Sequence, residues 1–134
     1  MFVAFLIVTL AALNKDELLY TIMIRQPDFV TKEVVDKAFE NVRKKKPHPL
    51  LNDVTFDTIE DGLSVQILHV GSYDNEPQSF EVMKEFIINN NLERDTLMHR
   101  KIYLSDVRKV EPAKLKTVLR YMVNTGGLFL YSLM

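Results

Sequence analysis

The sequence predicts an α+β fold on an antiparallel sheet, with helices packed on one face and, from Val54, the order strand, helix, strand, strand. Three observations carry that prediction. Several short segments alternate apolar and polar residues with the period of a half-buried strand. Two longer segments place apolar residues at helical spacing. After the second helix the strands follow one another directly, which favours an antiparallel α+β sheet over a βαβ design.

The first thirteen residues, MFVAFLIVTLAAL, are mostly apolar. A membrane-spanning helix needs about 20 such residues. A signal peptide would carry a basic leading region and a small-x-small cleavage site, whereas the first basic residue here is Lys15. The run predicts a buried strand or helix, with a signal-like segment as the alternative.

Tyr20 to Arg25 alternates, with Ile22 and Ile24 in one phase, and predicts a strand that Pro27 and Asp28 end. Thr31 is the expected N-cap of a helix running to Lys46, with Glu33 near its positive end. Val34, Val35, Ala38, Phe39 and Val42 form its apolar stripe. Arg43, Lys44, Lys45 and Lys46 complement the dipole at its last turn, and Pro47 and Pro49 stop it. Val54 to Ile59 predicts a short strand. Asp61-Gly62 signals a turn. Leu63, Val65, Ile67 and His69 lie in phase on a longer strand that Gly71 ends.

Glu76-Pro77 opens a second helix, whose stripe is Phe80, Met83, Phe86, Ile87 and Asn90. Asn89, Asn90 and Asn91 close it, asparagine being tolerant of left-handed backbone. Lys101 to Ser105 predicts a strand with Lys101, Tyr103 and Ser105 on one face. Asp106 to Lys114 predicts a loop and Lys116 to Val123 a last strand, with Leu119, Tyr121 and Val123 in phase. The tail begins with a Gly-Gly breaker and ends apolar.

A length of 134 residues fits one domain, taken as 1–134. Hydrophobic residues at 47% and a net charge of -1 describe a soluble globular chain rather than a disordered one. That near-balance lacks the positive excess of a nucleic-acid-binding surface. The absence of cysteine removes disulfides, thiolate nucleophiles and Cys-ligated zinc, and fits a reducing cytoplasm. His48, His69 and His99 are too far apart in sequence for an H-x-x-x-H metal pair. No nucleotide-binding glycine loop, nucleophile elbow or EF-hand spacing occurs. The expectation is a chain with no cofactor, no metal and no membrane partner.

At QPDFVTKEVVDKAFENVRKKKP, VQILHVGSYDNEP and IYLSDVRKVEPAKLKTVLR the chain resembles the GyrI-like small-molecule-binding family, over about residues 20–123. That family includes the effector-binding domains of multidrug-responsive regulators and standalone proteins. The resemblance implies two strand–helix–strand–strand modules whose sheets flank a cleft for bulky, often aromatic or cationic, compounds. The second module is complete, from Val54 to Val123. The first is incomplete: its opening strand, helix and second strand have no matching sequence, and the tryptophan-rich stretch of the standalone relatives is missing, since the chain has no tryptophan.

The resemblance also supplies the candidate residues. The family places a glutamate just before I-Y-L in the cleft, where it attracts cations and, in some members, assists hydrolysis of cyclopropane toxins. Here that position is Lys101, which reverses the local field. Tyr103 matches the family and offers a ring face and a hydroxyl. His69 and Tyr73 belong to HVGSYD at a strand end, and Met23 to the surviving first-module strand. Ligand-facing and packing roles stand side by side for all five, and Glu76 is expected as a helix N-terminal residue rather than a catalytic acid. The expected function is small-molecule binding without a DNA-binding segment of its own. A disabled hydrolase and a truncated relic are the alternatives. The incomplete first module leaves a sheet edge open, which predicts a homodimer through that edge.

Overall fold

The computed structural model describes residues 3–11 and 19–126. The chain divides into two compact units, Met1–Glu60 and Asp61–Met134. Its strand pairings are all antiparallel, as the α+β class requires.

In the first unit, β1 (Val3–Ala11) pairs on one side with β2 (Leu19–Arg25) and on the other with β3 (Thr55–Ile59). The apolar start of the chain is therefore a strand, central in its sheet. A continuous apolar run lacks the alternation that marks a half-buried strand, so its sequence alone does not separate strand from helix. This corrects two expectations. The first module keeps two strands rather than one, and the strand Thr55–Ile59, expected in the second module, completes the first sheet through its pairing with β1. On β2, the in-phase residues Tyr20, Ile22 and Ile24 are all exposed.

Between β2 and β3 runs α1 (Lys32–Lys45), capped as expected by Thr31, whose hydroxyl accepts from the Val34 amide. Of its apolar stripe only Val35 is buried, while Val34 and Val42 are exposed. Pro49–Asp53 forms a short 3-10 turn after the prolines.

The second unit is a sheet with β7 (Lys116–Asn124) at its centre. One side of β7 pairs with β4 (Ser64–Val70), the other with β6 (Arg100–Tyr103) and with a two-residue strand, β5 (Glu93–Arg94). Gly62 takes a positive φ of 68° in the turn before β4, a conformation that favours glycine. The second helix, α2 (Glu76–Asn89), packs against β4 and β5 and ends where Asn91 adopts a left-handed φ of 55°.

Alternation on the strands sets the two faces of this sheet. Val65, Leu119, Tyr121 and Val123 bury themselves with Met83 and Ile87 of α2, and Phe80 packs against that core. Phe86, expected in the helix stripe, is instead 51% exposed, so the buried stripe turns through Glu76, Met83 and Ile87. The opposite face carries an ionic cluster. Asp61 accepts from both Arg100 and Arg120, and Arg120 also donates to Gln66. Burial works to raise the Asp61 carboxyl, but the hydrogen bonds and charges of the two arginines outweigh it and hold it below the usual range. The apolar tail after Gly126 lies outside the described residues.

Candidate functional site

The register of β6 against β7 places Lys101 opposite Leu119 and Tyr103 opposite Thr117. Leu119 and Thr117 are buried on the α2 side of the sheet. Lys101 and Tyr103 therefore share the face that carries the helix, as their alternation requires. A lysine on a core-side face needs a counter-charge, and the first residue of α2 supplies it. Glu76 Oε2 forms an ion pair with Lys101 Nζ at 2.5 Å. Its position at a helix N-terminus adds a favourable dipole.

The two partners differ in access to water. The Glu76 side chain is 4% exposed and that of Lys101 is 32% exposed. Oε1 of Glu76 has no hydrogen-bond partner, and neither has the buried Thr117 hydroxyl beside Tyr103. Buried unpartnered oxygens are uncommon in native proteins and mark a place where structure alone does not account for the polar group.

The charges of the ion pair act on two ring-bearing residues, Tyr73 and His99. Tyr73 and Tyr103 meet edge to face with centroids 5.8 Å apart, and both rings are exposed. Burial, Tyr103 and Glu76 push the Tyr73 hydroxyl upward against the opposing charge of Lys101, so it stays a donor at neutral pH. His99, two residues before Lys101, lies 4.9 Å from the Phe80 ring and 6.3 Å from Tyr121. Burial and the charges of Lys101 and Arg94 hold its imidazole below the usual range, against the pull of Glu76. Arg94 positions this segment. Its guanidinium stacks 3.7 Å above the Tyr121 ring and donates to the carbonyls of Leu97 and Met98.

His69 is buried, and both ring nitrogens are engaged. Nε2 is 2.8 Å from the Ser72 carbonyl and Nδ1 is 2.7 Å from the Ser79 hydroxyl. A carbonyl only accepts, so Nε2 carries a proton, and in the neutral ring Nδ1 then accepts from the Ser79 hydroxyl. His69 thus ties the end of β4 to α2 and has no ring nitrogen left for a ligand. Met23 lies on β2 in the first unit. Of the five residues singled out in the sequence, Lys101, Tyr103 and Tyr73 come together in one place. The sequence reading placed Glu76 at the helix start and missed its partnership with a strand residue 25 positions later. The signal available was the unpaired lysine itself, in phase with buried residues.

An antiparallel sheet with one packed helix, carrying exposed aromatics around a half-buried ion pair, defines an α+β module. The GyrI-like small molecule binding domain model matches residues 9–123, and the chain belongs to that family. An uncharacterized conserved protein from Listeria innocua is 38% identical, with a TM-score of 0.76, over 91% of this chain and 63% of that one. A hydrolase from Listeria innocua is 37% identical, with a TM-score of 0.74, over 92% of this chain and 64% of that one. The chain thus spans a little under two-thirds of the length of these relatives. The EcmrR C-terminal domain shares the fold at 15% identity and a TM-score of 0.58, over 90% of this chain and 66% of that one. No curated protein matches the chain. Among the described residues, no helix is long and apolar enough to cross a membrane, and no cluster of residues is suited to hold a metal.

Proposed function

We propose that the chain is a small-molecule-binding module, a single domain over 1–134, that takes a bulky aromatic compound against the exposed rings of Tyr73 and Tyr103 beside Lys101. The observation that carries this reading is the conjunction of those rings with a buried, incompletely satisfied carboxylate. Exposed tyrosines contribute little to folding, yet offer large, rigid contact area to a ligand. His69 supports the site by anchoring α2.

The test is the melting temperature of the chain against a panel of bulky aromatic compounds. A ligand at about 100 times its Kd adds about 2.7 kcal/mol to stability. Tyr103→Ala is expected to leave the ligand-free melt nearly unchanged and to abolish the shift. A cooperative melt that no compound shifts refutes the reading.

A second reading is hydrolysis of a reactive electrophile such as a cyclopropane-containing toxin. It draws on the Listeria hydrolase relative and on the buried Glu76 carboxylate, whose other oxygen Lys101 holds. Lys101→Glu tests it, with its cooperative melt as the check on folding: gained hydrolysis supports an activity disabled at this position, and no gain in a folded variant removes the reading. The exposed Tyr20, Ile22 and Ile24 on the edge strand β2 support a homodimer. Sedimentation as a monomer at micromolar concentration refutes it.

A further inference from the structure

We infer that the ligand of this site carries an acidic group, a carboxylate or comparable anion, that docks on Lys101 while its aromatic body lies against Tyr73 and Tyr103. The inference rests on the aromatic-binding reading above and adds the charge of the ligand to it.

The exposure of the two ion-pair partners decides the sign. Glu76 alone would invite a cation, but its side chain is 4% exposed and its unpartnered oxygen is sealed from solvent. Lys101 is 32% exposed, so the charge a ligand meets is positive. An ammonium carries three donors. The ion pair with Glu76 Oε2 holds the group in place, and its exposed side is open to an incoming acceptor. Such preorganisation lowers the entropy lost on binding.

The neighbours agree. Tyr73 stays a hydroxyl donor, and neutral His99 can also donate. The carboxylate that pairs with Lys101, Glu76, is buried. Arg94, near His99, adds a second positive charge. An anion arriving at Lys101 meets an exposed ammonium whose counter-charge is buried, whereas a cation must approach that same ammonium.

The experiment compares three bicyclic probes that differ in one substituent: 2-naphthoate, 2-naphthamide and 2-naphthylmethylammonium. Binding is measured by isothermal titration calorimetry at low and high salt. Naphthoate is expected to bind roughly tenfold more tightly than the amide at low salt, the ammonium most weakly, with the advantage shrinking in 0.5 M salt, an ionic strength of about a 4 Å Debye length. Lys101→Gln should bring the carboxylate-to-amide ratio towards one. Because Lys101→Gln leaves Glu76 without its partner, Lys101→Arg and Glu76→Gln serve as companions. Lys101→Arg should keep the preference, and Glu76→Gln should strengthen it by removing the competing carboxylate. A ratio near one in the native chain, a preference for the ammonium, or loss of the preference in Glu76→Gln overturns the inference while the aromatic-binding reading stands. If none of the three probes binds, both fail.

Discussion

Lys101→Met isolates the energetic role of the ion pair. The substitution keeps a long, flexible side chain over the same surface and removes the charge. Glu76 is then a carboxylate at 3% relative exposure with neither oxygen partnered. Removing one partner of a fully buried pair costs about 3–5 kcal/mol. Lys101 is one-third exposed, so water recovers part of that loss, and about 2–3 kcal/mol is expected. For a chain of 134 residues, about 3.5 °C accompanies each kcal/mol, giving a fall in melting temperature of about 7–10 °C. Urea denaturation followed by far-UV circular dichroism suits a protein without tryptophan and gives the free energy directly. A second substitution supplies the control. Glu76→Gln in the Lys101→Met background removes the stranded charge and should return at least half of the lost stability, whereas the two single changes add if the pair is uncoupled. A loss below about 0.5 kcal/mol for Lys101→Met, or additivity in the cycle, refutes the argument that Lys101 is what makes a buried Glu76 tolerable.

Asp61→Asn removes the carboxylate that both Arg100 and Arg120 pair with and should cost about 2–3 kcal/mol at pH 7. Because the folded carboxyl sits below its unfolded value, its contribution is complete above about pH 4 and lost as the pH falls through the folded value; denaturation of the two proteins should therefore converge in acid. His99 behaves in the same direction for a different reason. Its folded imidazole is held below the unfolded range, so stability is expected to decline as the pH drops below about 6.5, and His99→Gln should flatten that slope; an unchanged slope assigns it to other groups. Ser79→Ala removes the donor to His69 Nδ1 and leaves a buried acceptor unsatisfied, for a loss of about 1–3 kcal/mol in chemical denaturation.

What the sequence reveals and conceals here follows from how each signal is generated. β4, β7 and β2 were legible because residues alternating between two environments leave a period of two. α2 was legible because Pro77 opens it and its apolar residues follow the helical period. The central strand β1 was ambiguous because continuous apolarity is shared by buried strands and buried helices. β5 is only Glu93 and Arg94, too short for any period, and its importance comes from the Arg94 stack on Tyr121. The sheet membership of Thr55–Ile59 is a choice of partner strand, and nothing within five residues encodes the partner.

The site divides along the same line. Strand alternation and the family resemblance bring Lys101 and Tyr103 to one face, and the HVGSYD turn brings Tyr73 near them. Glu76 was masked because a carboxylate at the first position of a helix already has a sufficient explanation in the dipole. One constraint cuts through that explanation. Lys101 is in phase with the buried Leu119 and Thr117 across the sheet, so its ammonium is stabilised by a counter-charge on that face. The compensating carboxylate must come from an element that covers the same face, and α2 is the helix packed on that sheet. Among its acidic residues, Glu76 is buried while Glu81 and Glu85 are exposed. A charge where the pattern demands an apolar residue is therefore a statement about a second residue, and at this position the pair it identifies is also the charged centre of the proposed ligand site.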